Sequence, residues 1–151
     1  MTCMNGEPLL LDTNILVYAY DRSEPVKQRR ARVILDRLGR EHAGVLSTQV
    51  LVEFFSAVTR KLVERISTQQ AYYHLREYVR SWKVLSVTPE IVLEAGRGVA
   101  EYQFPIYDAQ IWATAKLNQI GIVVSEDFSH GSRIEGVQFL NPFIADLPGE
   151  E

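Results

Sequence analysis

Apolar residues recur along this chain in two rhythms. Short unbroken runs, Leu9 to Asp12, Gly44 to Ser47, Val84 to Val87 and Ile122 to Ser125, are too short for helices. They read as strands buried on both faces of a parallel sheet. Val137 to Leu140 are a candidate fifth strand, ended by Asn141-Pro142. Between these runs the apolar positions recur every three or four residues, which predicts helices. Thr13 to Tyr20 form the first. Ser23 as cap and Pro25 in the first turn start a second, which runs to about His42 with Val26, Val33, Ile34 and Leu38 inward. Ser47 or Thr48 caps a third, with the stripe Leu51, Phe54, Phe55, Val58 and Leu62. Ser67 and Gln70 make a capping box for a fourth, with Leu75, Tyr78, Val79 and Trp82 near its inner face. "TPE" at 88–90 opens a fifth, which runs to about Tyr102 despite Gly96 and Gly98. "YDAQIWATAKLNQIG" (107–121) is a sixth, stopped by Gly121. A Gly/Ser loop follows Ser125, and the tail "DLPGEE" reads as loose.

Strands alternating with helices predict a three-layer α/β fold with a mainly parallel sheet of four or five strands. No linker or internal repeat divides the chain. It reads as one domain over residues 1–151, with an ordered core over about 9–143. Ligands in such folds bind beyond the carboxyl ends of the strands. Asp12 stands at one such end and "SED" (125–127) at another.

Composition narrows the chemistry. With 46% hydrophobic and 23% charged residues the chain has the make-up of an ordinary soluble domain. No apolar run approaches the roughly 20 residues of a membrane helix. "MTCMNGEP" lacks the basic start and apolar core of a signal peptide, so the expected location is the cytoplasm. A single cysteine, Cys3, excludes a disulfide framework and a cysteine zinc site. His42, His74 and His130 have no metal-ligand spacing. Catalysis, if present, must rest mostly on carboxylates and hydroxyls. A net charge of −3 argues against a protein that coats nucleic acid non-specifically. Local basic faces remain: "KQRRAR" (27–32) with Arg37 and Arg40; Arg60, Lys61 and Arg65; and Arg76, Arg80 and Lys83. Solvated helix faces are the ordinary reading, and contacts to RNA phosphates the functional one. Tyr72, Tyr73, Tyr102, Phe104 and Tyr107 could stack on unpaired bases, or belong to the core or a dimer contact.

The acids each admit an ordinary explanation. Asp12 can cap the helix that begins at Thr13. Glu53 lies nearly opposite its helix's apolar stripe, beside Gln49, Ser56 and Arg60, where a solvent-exposed glutamate is the default. Asp108 shares a face with Ile111, Trp112 and Ala115, as a cap or as a site residue. Glu126 and Asp127 can be turn residues after "IGIVV". In a parallel α/β sheet, however, the ends that carry them converge. Carboxylates gathered in one cleft repel one another, so either some hold protons or a divalent cation joins them. Hard oxygen donors without a histidine pair favour Mg²⁺ or Mn²⁺ over zinc. Such a centre polarises a phosphodiester and activates water. Thr13, Asn14 and Ser125 could position a phosphate or a water, or finish a turn.

Four segments, "LLLDTNILVYAYD" (9–21), "STQVLVEF" (47–54), "YDAQIWATA" (107–115) and "VSEDFSHGSRIEGVQFLNPF" (124–143), occur in this order. Together they resemble the PIN-domain ribonucleases, in particular the bacterial toxin branch called VapC. The resemblance matches the family's four acids to Asp12, Glu53, Asp108 (with Ala109 and Ala113) and Asp127, with Glu126 the adjacent alternative for the last. Thr13 or Asn14 would be the supporting polar residue. It implies a Mg²⁺- or Mn²⁺-dependent endoribonuclease, commonly a homodimer. It also implies a small antitoxin whose C-terminal segment blocks the cleft, often with a basic side chain. A housekeeping RNA-processing nuclease and a non-catalytic RNA- or protein-binding module are the alternatives. A haloacid-dehalogenase-type phosphatase needs a second aspartate two residues after Asp12, where this chain has Asn14.

Overall fold

The computed structural model describes residues 7–150, so Cys3 and the start of the chain lie outside the described residues. Six strands form one sheet: β1 (Leu9–Leu11), β2 (Gly44–Ser47), β3 (Lys83–Leu85), β4 (Ile122–Val124), β5 (Arg133–Ile134) and β6 (Val137–Leu140). Their order is β3-β2-β1-β4-β6-β5. Every pairing is parallel except β5 with β6. The helices are α1 (Thr13–Tyr18), α2 (Pro25–Glu41), α3 (Thr48–Arg60), α4 (Thr68–Ser81), α5 (Pro89–Tyr102) and α6 (Ile106–Leu117). No described helix is long and apolar enough to cross a membrane.

The central strands β1, β2 and β4 are buried throughout, as their unbroken apolar runs require. Leu10, Leu11, Leu46, Val123 and Val124 meet Ile15, Leu16, Ile34, Leu38, Phe54 and Trp112 in one core. Burying such side chains contributes roughly 1.5–3 kcal/mol each. Ser47 accepts from the Val50 N–H and caps α3, Thr88 caps α5, and Ser67 with Gln70 completes the expected box at α4.

Several details differ from expectation. The sheet has six strands because Glu135 (φ 48°) and Gly136 (φ 87°) make a tight turn between Ile134 and Val137. Two successive positive φ values suit a two-residue hairpin, so the supposed loop doubles back as β5. Ser23 does not cap α2, because its N–H and hydroxyl both donate to Asp21 Oδ1; Glu24 is the cap residue and offers no side-chain bond. Val26, Val33 and Val79 are exposed. The buried stripes run through Ala31, Ile34 and Leu38, and through Ala71 and Tyr78, and each exposed valine lies off its stripe. Helix α6 ends at Leu117 with Gln119, not Gly121, in the left-handed region. The tail is docked. Arg30 donates to Pro142 O at 2.8 Å and holds both Glu150 oxygens, Arg37 donates to Pro148 O at 2.6 Å, and Leu147 is buried.

The glycines of α5 have different roles. A Cβ at Gly98 would lie 2.7 Å from a ring carbon of Trp112 and 3.1 Å from Phe104, whereas one at Gly96 would meet nothing within 4 Å. Gly98 lets α5 lie against the Trp112 ring of α6. Gly98→Ala is expected to destabilise the fold by about 1–3 kcal/mol through overpacking. Gly96→Ala is expected to stabilise it by up to about 1 kcal/mol through helix propensity. Urea denaturation of the two variants checks the pair; equal shifts would contradict this packing.

Candidate active site

The chain crosses from β1 to β2 and β3 on one side, then returns to β4 on the other. That reversal opens a crevice beyond the carboxyl ends of β1 and β4, where open α/β sheets bind ligands. Leu11 pairs with Val124, so the residues that follow them are neighbours. Those residues are Asp12 and Ser125.

Asp12 is 5% exposed. It caps α1 through the Thr13 N–H at 2.7 Å, and Ser125 donates its hydroxyl to Oδ2 at 2.7 Å. The capping and site readings are therefore compatible: one oxygen caps the helix and the other faces the crevice residues. Asn14 reaches across the same crevice. Its amide donates to Ser125 Oγ at 3.2 Å, to Asp127 Oδ2 at 3.2 Å and, at 3.5 Å, to Asp12 Oδ2. The Asp127 N–H donates to Ser125 Oγ at 3.0 Å. Thr13, Asn14 and Ser125 all bond directly to the acids.

Asp108 enters from the first turn of α6. Asp12, Asp108 and Asp127 each offer a carboxylate oxygen within 4.8 Å of the other two. Burial is the main reason that the Asp12 carboxyl is pushed up to about 7. The charges of Asp127 and Asp108 add to the rise, while the bonds from Ser125 and Thr13 oppose it. Asp108 is also raised, first by burial and then by Asp127 and Glu53. The donors are hard oxygens, and a divalent cation would relieve the repulsion that raises these groups. The residues present thus fit Mg²⁺ or Mn²⁺.

Glu53 stands at the edge, outside the group of three. Its position on α3, which follows β2, brings it beside the start of α1. Thr13 Oγ1 donates to its Oε1 at 2.7 Å and Gln49 to its Oε2 at 3.2 Å. Gln49 was not singled out from sequence. It is 9% exposed and also donates to Tyr107 O at 3.0 Å, while its Oε1 accepts from Gln110 at 2.7 Å. It therefore ties Glu53 to the turn that carries Asp108. The available signal was its place four residues before Glu53, on the same helical face. Glu126 is not among the three. It pairs with Lys27 at 2.9 Å and accepts from the Tyr18 hydroxyl.

The basic face of α2 is largely committed to the protein itself. Lys27 is bound to Glu126, Arg30 to Glu150, Arg32 to Ala19 O, Arg37 to Glu41 and Pro148 O, and Arg40 to Asp36. Tyr72, Tyr73, Tyr102 and Tyr107 are exposed and not core; Phe104 packs on Trp112. An apolar groove of about 590 Å³, lined by residues such as Leu51, Val52, Phe55, Leu75 and Val79, lies between α3 and α4 and contains none of the acids.

A family model described as the PIN domain matches residues 9–131. No curated protein matches the sequence. Among solved structures, a toxin–antitoxin complex from Klebsiella pneumoniae is 19% identical with a TM-score of 0.63, over 89% of this chain and 97% of that one. VapBC2 from Rickettsia felis, bound to a DNA fragment from its promoter, is 18% identical with a TM-score of 0.62, over 87% and 96%. VapC20 from Mycobacterium tuberculosis, a toxin that cleaves the sarcin–ricin loop, is 15% identical with a TM-score of 0.58, over 76% and 86%. At these identities the likeness is one of fold.

Proposed function

Since this chain belongs to the PIN-domain family, we propose that it is a Mg²⁺- or Mn²⁺-dependent endoribonuclease, the toxin of a toxin–antitoxin pair. The observation that carries this reading is the approach of Asp12, Asp108 and Asp127 to within 4.8 Å of one another at the sheet's crevice. A non-catalytic module has no need of three mutually repelling carboxylates, one of them buried. In this reading the three aspartates would hold the ion, and Glu53 borders them. Thr13 and Gln49 orient Glu53, and Ser125 and Asn14 orient Asp12 and Asp127. When bound, the ion supplies Lewis acidity toward the phosphodiester and lowers the pKa of water. RNA is the substrate, and exposed cations such as Arg29, Arg60, Lys61, Arg65, Arg76 and Lys83 are left to meet its backbone, since most of α2's are engaged.

The toxin role draws support from the fold shared with toxin–antitoxin complexes. A cognate antitoxin would silence the site by placing a basic side chain among the carboxylates. A homodimer acting in the cytoplasm completes the proposal.

The purified protein is expected to cut RNA with Mg²⁺ or Mn²⁺ and to stop when EDTA is added. Cleavage that persists in EDTA would refute the metal dependence. Cleavage without toxicity on expression, and without a small antitoxin gene beside this one, would favour an RNA-processing role.

A further inference from the structure

Asp127 is an exposed acid that must stay close to two others. Asp12 is locked by burial, a helix N-terminus and Ser125, whereas the Asp127 carboxylate accepts from the Asn14 amide at 3.2 Å. Mutual repulsion of the acids pushes it away. Its placement must come from the backbone that carries it: on one side the buried Ser125 Oγ accepts from the Asp127 N–H at 3.0 Å, and on the other the adjacent residue, Glu126, has an anchored side chain.

Glu126 Oε1 accepts from Lys27 Nζ at 2.9 Å, and Oε2 accepts from the Tyr18 hydroxyl. Lys27 Nζ also donates to the Tyr18 oxygen at 3.3 Å. The ammonium lies 4.9 Å from the centroid of the Tyr18 ring and 5.5 Å from that of Phe143. Those two rings meet edge to face at 5.1 Å. Helices α1 and α2 thus converge on one carboxylate, with Phe143 of the C-terminal segment packed against the two side chains that bind it. The side chains of Lys27 and Glu126 are 35% and 23% exposed, so the rings shield the pair more than the open ion pairs of this surface. On the other side of the turn the Glu126 N–H faces Asn14 Oδ1 at 3.4 Å.

We propose that Tyr18 and Lys27 form a latch on Glu126 that sets the position of Asp127, making Glu126 a positioning residue and not a fourth ligand. This rests on the metal-site reading above. The latch also gives Lys27 a task distinct from RNA contact. It ties the start of α2 to the active crevice.

The test uses the full chain as Lys27→Met, Glu126→Gln and the double variant, with Lys27→Arg as the conservative control. Amide exchange of residues 125–131 is measured in EDTA, with the core amides of β1 and β4 as internal reference. Each single variant is expected to speed exchange of this segment about tenfold, with the double variant no faster than either. Mn²⁺ titration by calorimetry is expected to show the same non-additive weakening, and Lys27→Arg is expected to retain most of the affinity. Unchanged exchange in both single variants overturns the latch. So does weaker Mn²⁺ binding in Glu126→Gln alone, with Lys27→Met as tight as the parent, because Glu126 would then be a ligand. If the parent protein binds no Mn²⁺, the metal-site reading fails, and the exchange data still decide whether Lys27 and Glu126 hold the turn.

Discussion

Asp12→Asn is expected to leave the protein folded and to cut RNA cleavage at least about 100-fold, which is about 2.7 kcal/mol of lost transition-state stabilisation. Asparagine retains the oxygen that accepts the Thr13 N–H and so still caps α1. What it loses is the negative charge on the most buried of the three aspartates, the one the other two face. Without metal and above pH 7 the variant should be more stable than the parent, because it carries no buried carboxylate to desolvate. Cleavage assays in Mg²⁺ beside urea denaturation in EDTA check both parts. A variant that cuts as well as the parent would remove Asp12 from the chemistry.

The second large effect is a reversed dependence of stability on pH. An ordinary paired carboxylate is lowered on folding, and its contribution is lost on acidification. Asp12 is the opposite case, raised from 3.8 to about 7 by burial and by its acidic neighbours. Between those values the folded chain holds a proton that the unfolded chain has released. Stability in EDTA should therefore fall as pH rises through this window, by up to about 4 kcal/mol. Asp108, raised for the same reasons, acts in the same direction. A divalent ion favours the ionised carboxylates and removes the penalty, so its stabilisation should be small at pH 5 and large at pH 8. Urea midpoints at both values, with EDTA and with excess Mg²⁺, measure this. Equal stabilisation at the two values would show that these carboxyls do not hold the ion.

Much of this structure could be read from local pattern. The runs at Leu9, Gly44, Val84 and Ile122 and the stripe from Leu51 to Leu62 mark elements within a residue or two of where they lie. Periodicity relates residues three or four apart, and backbone caps act over the same span. Errors arose where a contact was distant or a turn decided the outcome. The tail is docked because Arg30 lies on a helix more than a hundred residues earlier in the chain. Strand β5 exists because Glu135 and Gly136 close a hairpin with β6.

The site divides in the same way. Asp12, Glu53, Asp108 and Asp127 were visible as acids at strand ends and early helical turns, because those places recur in any parallel α/β sheet. Which acids share a pocket was not visible. Sequence favoured Asp127 with Glu126 as the adjacent alternative; in the structure Lys27 and Tyr18 hold Glu126, and Asn14 bonds Asp127. Gln49 reads as a polar helix residue until α6 packs beside it and gives its amide two more partners. By itself the sequence determined the elements, their alternation and the kind of chemistry available, since these follow from residue type and short-range spacing. The tertiary structure alone decided which side chains meet, because strand order and crossover direction bring together residues 40 to 113 positions apart, a relation that no local periodicity encodes.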